Sequence, residues 1–414
     1  MEPVKFGLVG VGGYGRAYDR ALQQMEKEGL GKLASAVIRN RPKYAERVAE
    51  FEAAGIPIRA SLTEMLDKDR DLLDMIAVPT GINNHHTLLI EAADAGFNVV
   101  LEKPPTSTIQ YMDAMLAALE RNGTWCQVGF QNQSKETTRA LKRVICDGKL
   151  GRIQTVAVRG IWVRTDSYYE RNPWAGQFKL DDVYVLDGTV NNPLAHYLMN
   201  GLYFAGDEWG AIGMPVRVRA ELYRGHRIES EDTSAVEVEL DSGARVYFLA
   251  TLCGETPADH TVHIEVVGDK GRAYWASKGD VRVETEDGGS ETIVEEPDDT
   301  GRDELWRNAI RYFRGEDKEL NCPLEMTRNF VLATNGAFLS SGTTHKIPDA
   351  HLKLYTHQET GENHTEIPGI NETIERCFRE RKLFSDLNLP WAVRTEPFDL
   401  TNFTEFRMDT PVVS

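Results

Sequence analysis

The feature that most restricts the fold is a glycine-rich loop directly behind the first apolar run. Val4-Lys5-Phe6-Gly7-Leu8-Val9 reads as a buried strand and leads into Gly10-Val11-Gly12-Gly13-Tyr14-Gly15, after which an amphipathic helical pattern begins. The spacing is G-x-G-x-x-G, and strand, loop and helix in that order give the pattern its meaning. Glycines there let the backbone turn tightly and approach a pyrophosphate, while the helix N-terminus offers its unsatisfied amides to the anion. Gly10, Gly12, Gly13, Tyr14 and Gly15 are therefore candidate cofactor-binding residues. A turn with packing duties only is the plainer alternative.

The following segments keep the same rhythm. Ala34–Ile38, Leu73–Val78, Asn98–Leu101 and Thr124–Val128 read as strands separated by helical stretches such as His85–Ala95. Strands alternating with helices predict a doubly wound parallel Rossmann sheet over residues 1–128. After Gly151-Arg152 long alternating runs take over, among them Gln154–Val163, Ala235–Leu240, Arg245–Leu252 and Val262–Val267, with hairpin signals at Asp241-Ser242-Gly243 and Asp287-Gly288-Gly289. Helical patterns at Leu194–Phe204 and Asp303–Phe313 interrupt them. Residues 129–347 are thus expected to form a C-terminal α+β domain with a large, mostly antiparallel open sheet. Residues 348–414 are expected to form an extension packed on the body, with one helix over Ile370–Lys382. A chain of 414 residues exceeds the roughly 250–300 at which single cores stop growing, so two domains suit its length.

Charge narrows the partners. Lys and Arg number 47 against 64 Asp and Glu, a net charge of −17, and no basic stretch offsets it, so nucleic acid is not an expected partner. No run of about 18 apolar residues is present to cross a bilayer. The start enters a strand-like segment without a basic region followed by an apolar one, and the five cysteines are odd in number and free of C-x-x-C pairing. A cytoplasmic location is the expectation. At the end of the second strand, where a carboxylate would hold an adenosine ribose, stands Arg39-Asn40-Arg41. Two guanidiniums there favour NADP over NAD, unless they only solvate a loop.

Asn98-Val99-Val100-Leu101-Glu102-Lys103-Pro104-Pro105 resembles the glucose-fructose oxidoreductase, inositol dehydrogenase and rhizopine catabolism (Gfo/Idh/MocA) family, whose hallmark is Glu-Lys-Pro at a strand end. Pro79 and His85 ahead of Gly96, Cys126–Phe130, Gly148–Ile153 and Val267–Gly271 agree in order and spacing, so the resemblance covers about residues 4–347. It implies a nicotinamide-dependent oxidoreductase of a sugar, sugar derivative or polyol, with Pro79, His85, Glu102 and Lys103 near the cofactor. It also implies a homo-oligomer, dimer or tetramer, and a role in carbohydrate metabolism. The family places the Lys and a helix His beside the substrate, which carries over to Lys103 and His196. Its D-x-G-x-H pattern is altered here: Asn192 takes the Asp position and Leu194 the Gly position.

These residue types suit the chemistry. Hydride leaves a carbinol carbon only as the hydroxyl proton goes to a base, a task for a His titrating near neutrality, while an ammonium stabilises developing alkoxide charge. Lys103, His196 and Asn192 are the candidate catalytic residues, with the choice of base between Lys103 and His196 open. Trp162, Arg164, Tyr169, Trp174 and Asp187 gather around the His motif as further substrate-binding candidates, with packing of the two tryptophans as the alternative. His260 and His263 lie three apart in a strand-like stretch and face opposite sides, so no metal is expected. Two other readings stay open: a glycosidase that oxidises its sugar transiently on a retained nicotinamide, and a non-enzymatic nucleotide-sensing regulator.

Overall fold

A computed structural model describes residues 2–294 and 301–413. The chain divides into two compact units, each described by itself. The first holds the chain through Thr106, Gln110–Lys135 and a return segment ending at Thr327; the second holds Ser107–Ile109, the chain from Glu136 and everything from Arg328 on.

In the first unit six strands form one sheet: β1 (Val4–Val9), β2 (Gly31–Val37), β3 (Ile58–Arg59), β4 (Met75–Val78), β5 (Asn98–Leu101) and β6 (Cys126–Val128). The order is β3-β2-β1-β4-β5-β6 and every pairing is parallel. Strand order reverses beside β1, so the loop leaving β1 opens at the carboxyl edge where such sheets bind ligands. β4 is wholly buried, as its unbroken apolar run requires of a parallel strand covered on both faces. β3 was not foreseen, for two paired residues leave no periodicity to read.

The return segment departs from the sequence-based boundary. The helix Arg302–Phe313, expected in the second domain, packs on the first sheet. Trp306 meets Phe6 and Tyr18 edge-on at 5.3 and 5.1 Å, and Arg307 grips Glu28 through two hydrogen bonds of 2.9 and 2.7 Å. An apolar helical stripe requires a sheet to cover but does not say which one.

The second unit is built on β7 (Ile153–Ile161), a short hairpin of β8 (Lys179–Leu180) and β9 (Val183–Tyr184), then β10 (Pro215–Arg224), β11 (Thr233–Leu240), β12 (Arg245–Thr251), β13 (His263–Gly268), β14 (Gly271–Ala276), β15 (Val281–Thr285), β16 (Ser290–Val294) and β17 (His345–Lys346). Beyond these lie the hairpin β18 (Lys353–Thr356) and β19 (Asn363–Glu366), and finally β20 (Phe398–Asp399). The main sheet runs β16-β15-β14-β13-β7-β12-β11-β10-β17, with β20 also on β10; only β7–β12 and β10–β17 are parallel. Both foreseen hairpins are present, β11 to β12 and β15 to β16.

Alternation sorts the strands onto two faces. Val158, Val246 and Val218 point to one, where the helices Ala195–Ala205 and Arg328–Ser341 approach through Gly201 and Gly336. Ala157, Ile161, Tyr223, Ala235 and Leu249 point to the other. That face is covered by the C-terminal extension, through Ile367, Ile370, Ile374, Cys377, Leu383 and Phe384. No helix among the described residues is long and apolar enough to cross a membrane.

Candidate active site

In the first unit the glycine loop behaves as its spacing requires. A side chain at Gly15 would press its Cβ to 2.4 Å from the Gly10 carbonyl oxygen, so the helix Gly15–Lys27 can start this close to β1 only with glycine there. The amides of Gly13 and Tyr14 donate to nothing among the described residues and stand at that helix's N-terminus. These are the donors an anionic phosphate needs. A Cβ at Gly12 would lie 2.1 Å from the Tyr44 hydroxyl, which places that phenol over the loop.

At the end of β2, Arg39, Asn40 and Arg41 are all exposed. Arg41 donates to the Ile58 carbonyl at 3.1 Å and lies 3.9 Å from Glu52, whereas Arg39 forms no ion pair among the described residues. Pro79, directly after β4, is buried. His85 is fully buried between two carbonyls, with Nδ1 2.8 Å from the Pro104 oxygen and Nε2 3.1 Å from that of Thr80. Burial pushes its imidazole down to about 4 against those carbonyls. His85 therefore ties the Thr80 turn to the Lys103-Pro104 turn and presents no ring edge outward. Glu102 is buried too; burial raises its carboxyl well above the usual range, although the Lys103 ammonium opposes the shift. Lys103, half-buried, follows at the end of β5.

The second unit places His196 in the first turn of the helix Ala195–Ala205. Asn192 lies before that helix, whose N-cap is Leu194, without a side-chain bond. The Asn192 side chain instead donates to Asp187 Oδ1 at 2.6 Å. Asp187 is 1% exposed, accepts the Gly176 amide at 2.7 Å, and has Arg171 at 3.6 Å. So a carboxylate does stand behind position 192, one side chain removed.

The loop between them is held from below. Glu231 accepts the amides of Thr189 and Val190 at 2.6 and 3.0 Å and the Thr189 hydroxyl at 2.9 Å. Burial pushes Glu231 up to about 8 against the pull of these donors. A Cβ on Gly188 would fall 2.2 Å from its carboxyl carbon, so glycine is required where the loop crosses Glu231. Leu186, buried with φ +52°, adds local backbone strain next to Asp187. The adjacent Asp232 faces the other way and meets His226 Nδ1 at 2.8 Å, with Cys253 Sγ 3.4 Å from the same nitrogen. Burial works against ionisation of Asp232, but the His226 ring and the Gly225 and His226 amides hold its carboxyl below the usual range.

The chain matches two models of one family: the oxidoreductase family with NAD-binding Rossmann fold over residues 4–130, and the GFO/IDH/MocA C-terminal domain over 138–274. Together they span more than half of the sequence. The chain belongs to the GFO/IDH/MocA family. Scyllo-inositol 2-dehydrogenase (NAD+) of Bacillus subtilis is 23% identical over 49% of this chain and 55% of its own, and D-xylose 1-dehydrogenase (NADP+) of Haloarcula marismortui is 23% identical over 66% and 71%. The chain spans between 38% and 55% of the length of the first curated relatives it matches. The WlbA dehydrogenase of Bordetella pertussis, solved with NADH and UDP-GlcNAcA, shares the fold with a TM-score of 0.67 at 23% identity, over 82% of this chain and 97% of that one.

Within this GFO/IDH/MocA chain the substrate-binding candidates read from sequence form a connected set. Arg164 stacks on Trp162 and Tyr168 at 4.8 and 5.0 Å, and Arg171 on Tyr168 and Trp174 at 3.6 and 5.1 Å. Trp162 also meets Tyr197, the neighbour of His196, edge-on at 6.1 Å. Tyr169 lies 4.8 Å from the His226 ring, centroid to centroid. Tyr44, Glu231 and the His226–Asp232 pair were not foreseen. Tyr44 follows shortly after the Arg39–Arg41 segment, which could have drawn notice; Glu231 and Asp232 read only as polar residues ahead of a strand.

Proposed function

We propose that this protein is an NAD(P)-dependent oxidoreductase acting on a hydroxyl-bearing carbon of a sugar, sugar derivative or polyol. The observation that carries the reading is the glycine loop with its unpartnered amides, at the carboxyl edge of a six-stranded parallel sheet. Gly10, Gly12, Gly13, Tyr14 and Gly15 would hold the pyrophosphate, with the Tyr44 hydroxyl as a further donor. Arg39, exposed and without an ion pair among the described residues, supports NADP over NAD more than Arg41 does, since Arg41 is already engaged. When bound, the nicotinamide supplies the hydride acceptor.

The chain's own residues supply the rest. Lys103 and His196 act on the carbinol, one stabilising the alkoxide charge and the other holding the proton. Asn192 is oriented by Asp187, whose carboxylate accepts its side-chain N–H. His85 and Glu231 act through others: the first fixes the turn carrying Lys103, the second the loop carrying Asn192. Aromatic faces at Trp162, Tyr168 and Trp174 suit the C–H faces of a sugar ring. The test is a panel of sugars, sugar acids, polyols and glycosides with NAD+ and NADP+, followed at the nicotinamide absorbance. Substrate-dependent reduction is expected. Glycoside cleavage with no net change in cofactor would support the glycosidase reading instead.

A further inference from the structure

Arg164 differs from Arg171 and Arg159 in having no counter-ion among the described residues. Arg171 has Asp187, and Arg159 has Glu375 at 2.9 Å. Arg164 lies within 4.0 Å of no carboxylate among the described residues, in a chain of net charge −17. Its Nη1 donates to the neighbouring Val163 carbonyl at 3.0 Å, while its buried Nε has no acceptor among the described residues. Two aromatic rings fix the guanidinium plane, Trp162 on one contact and Tyr168 on the other.

The backbone of Arg164 is fixed as well. Its amide donates to the Leu252 carbonyl at 2.9 Å, and its own carbonyl lies 3.1 Å from His226 Nε2. His226 is in turn held by the buried Asp232 carboxylate at 2.8 Å. The two rings and the Val163 carbonyl offset part of the cost of burying this cation but supply no counter-charge, so such a group is matched to an anionic ligand that completes it. The wall it belongs to runs through Trp162 to Tyr197 and through Tyr168 and Arg171 to Asp187.

We propose that Arg164 receives a carboxylate of the substrate, and hence that the substrate is a sugar acid. This rests on the oxidoreductase reading above for the location of the site, though not for the charge argument. One uncompensated guanidinium matches one monoanion: a planar fork pairs bidentately with a carboxylate, and a phosphate dianion would need further cations. The neighbouring guanidinium on this wall, Arg171, is already neutralised by Asp187.

The experiment is calorimetric titration of the full-length protein, loaded with NAD(P)+, using matched probes: D-glucuronate, D-glucose and D-glucose 6-phosphate, and the corresponding galactose series. At least one acid is expected to bind tenfold or more tightly than both its neutral and its phosphorylated partner. Arg164→Gln should erase that ratio, and Arg164→Lys should keep part of it. Equal binding of acid and neutral sugar, tightest binding of the phosphate, no binding of any probe, or equal weakening of all probes by Arg164→Gln would each overturn the proposal. If the acid preference holds but no probe reduces the nicotinamide, the redox reading fails and the anion site stands.

Discussion

At the scale of single residues, the contact between Asn192 and Asp187 decides what the altered family position can do. An amide there donates to a buried carboxylate at 2.6 Å; an Asp there would set two carboxylates against each other. In Asn192→Asp one of the pair must keep its proton, so its folded pKa rises above the unfolded value. Such a group contributes fully only at low pH, and its contribution is lost as pH rises through the raised pKa. The variant should therefore be less stable than the parent by about 1–3 kcal/mol at neutral pH and approach it as pH falls toward about 4, where an unfolded Asp is itself half protonated. Denaturant unfolding at several pH values measures this, and a deficit independent of pH would remove the Asp187 contact from the account. Lys103→Ala should lower turnover by orders of magnitude with cofactor affinity largely kept, since the ammonium is needed where charge develops; equilibrium titration with NAD(P)H beside steady-state rates separates the two. His196 and Asn192 were singled out because the resemblance gave their spacing. The role of Asp187 toward Asn192 was not, because a hydrogen bond between two loop side chains leaves no period in the sequence.

At the scale of elements, the loop from Asp187 to Asn192 is a backbone problem solved by one carboxylate. Glu231→Ala would leave the Thr189 and Val190 amides buried without their acceptor, a loss of about 3 kcal/mol or more. Gly188→Ala should destabilise through the collision with the same carboxyl. The two effects share one partner, so the double variant should lose clearly less than the sum, by about 1 kcal/mol or more in a double-mutant cycle. Additive losses would mean that Gly188 and Glu231 act separately. The glycine loop after β1 was readable because strand, turn and helix are consecutive. The Glu231 clamp joins residues about forty apart through a side chain, and only folding brings them together.

At the scale of the whole chain, the open sheet of the second unit does not leave its apolar face bare. Phe384, fully buried, packs with Trp391 against Tyr223, and Ser385 donates its hydroxyl to Glu221 at 2.6 Å. Phe384→Ala should cost about 3–5 kcal/mol and raise light scattering as the face opens; an unchanged unfolding midpoint would show the extension to be dispensable. Two domains and their sheet types were legible from changing periodicity, but not the crossing of Arg302–Phe313 to the first unit, because a helix carries its stripe without an address. The central claim is hydride transfer from a carbinol carbon to nicotinamide. Its most direct measurement uses a substrate deuterated at that carbon and follows the label by mass spectrometry. The account predicts deuterium in the released reduced cofactor, equal in amount to the oxidised sugar and absent with Lys103→Ala. Cofactor that stays unlabelled and oxidised while the sugar is cleaved or left unchanged would contradict it.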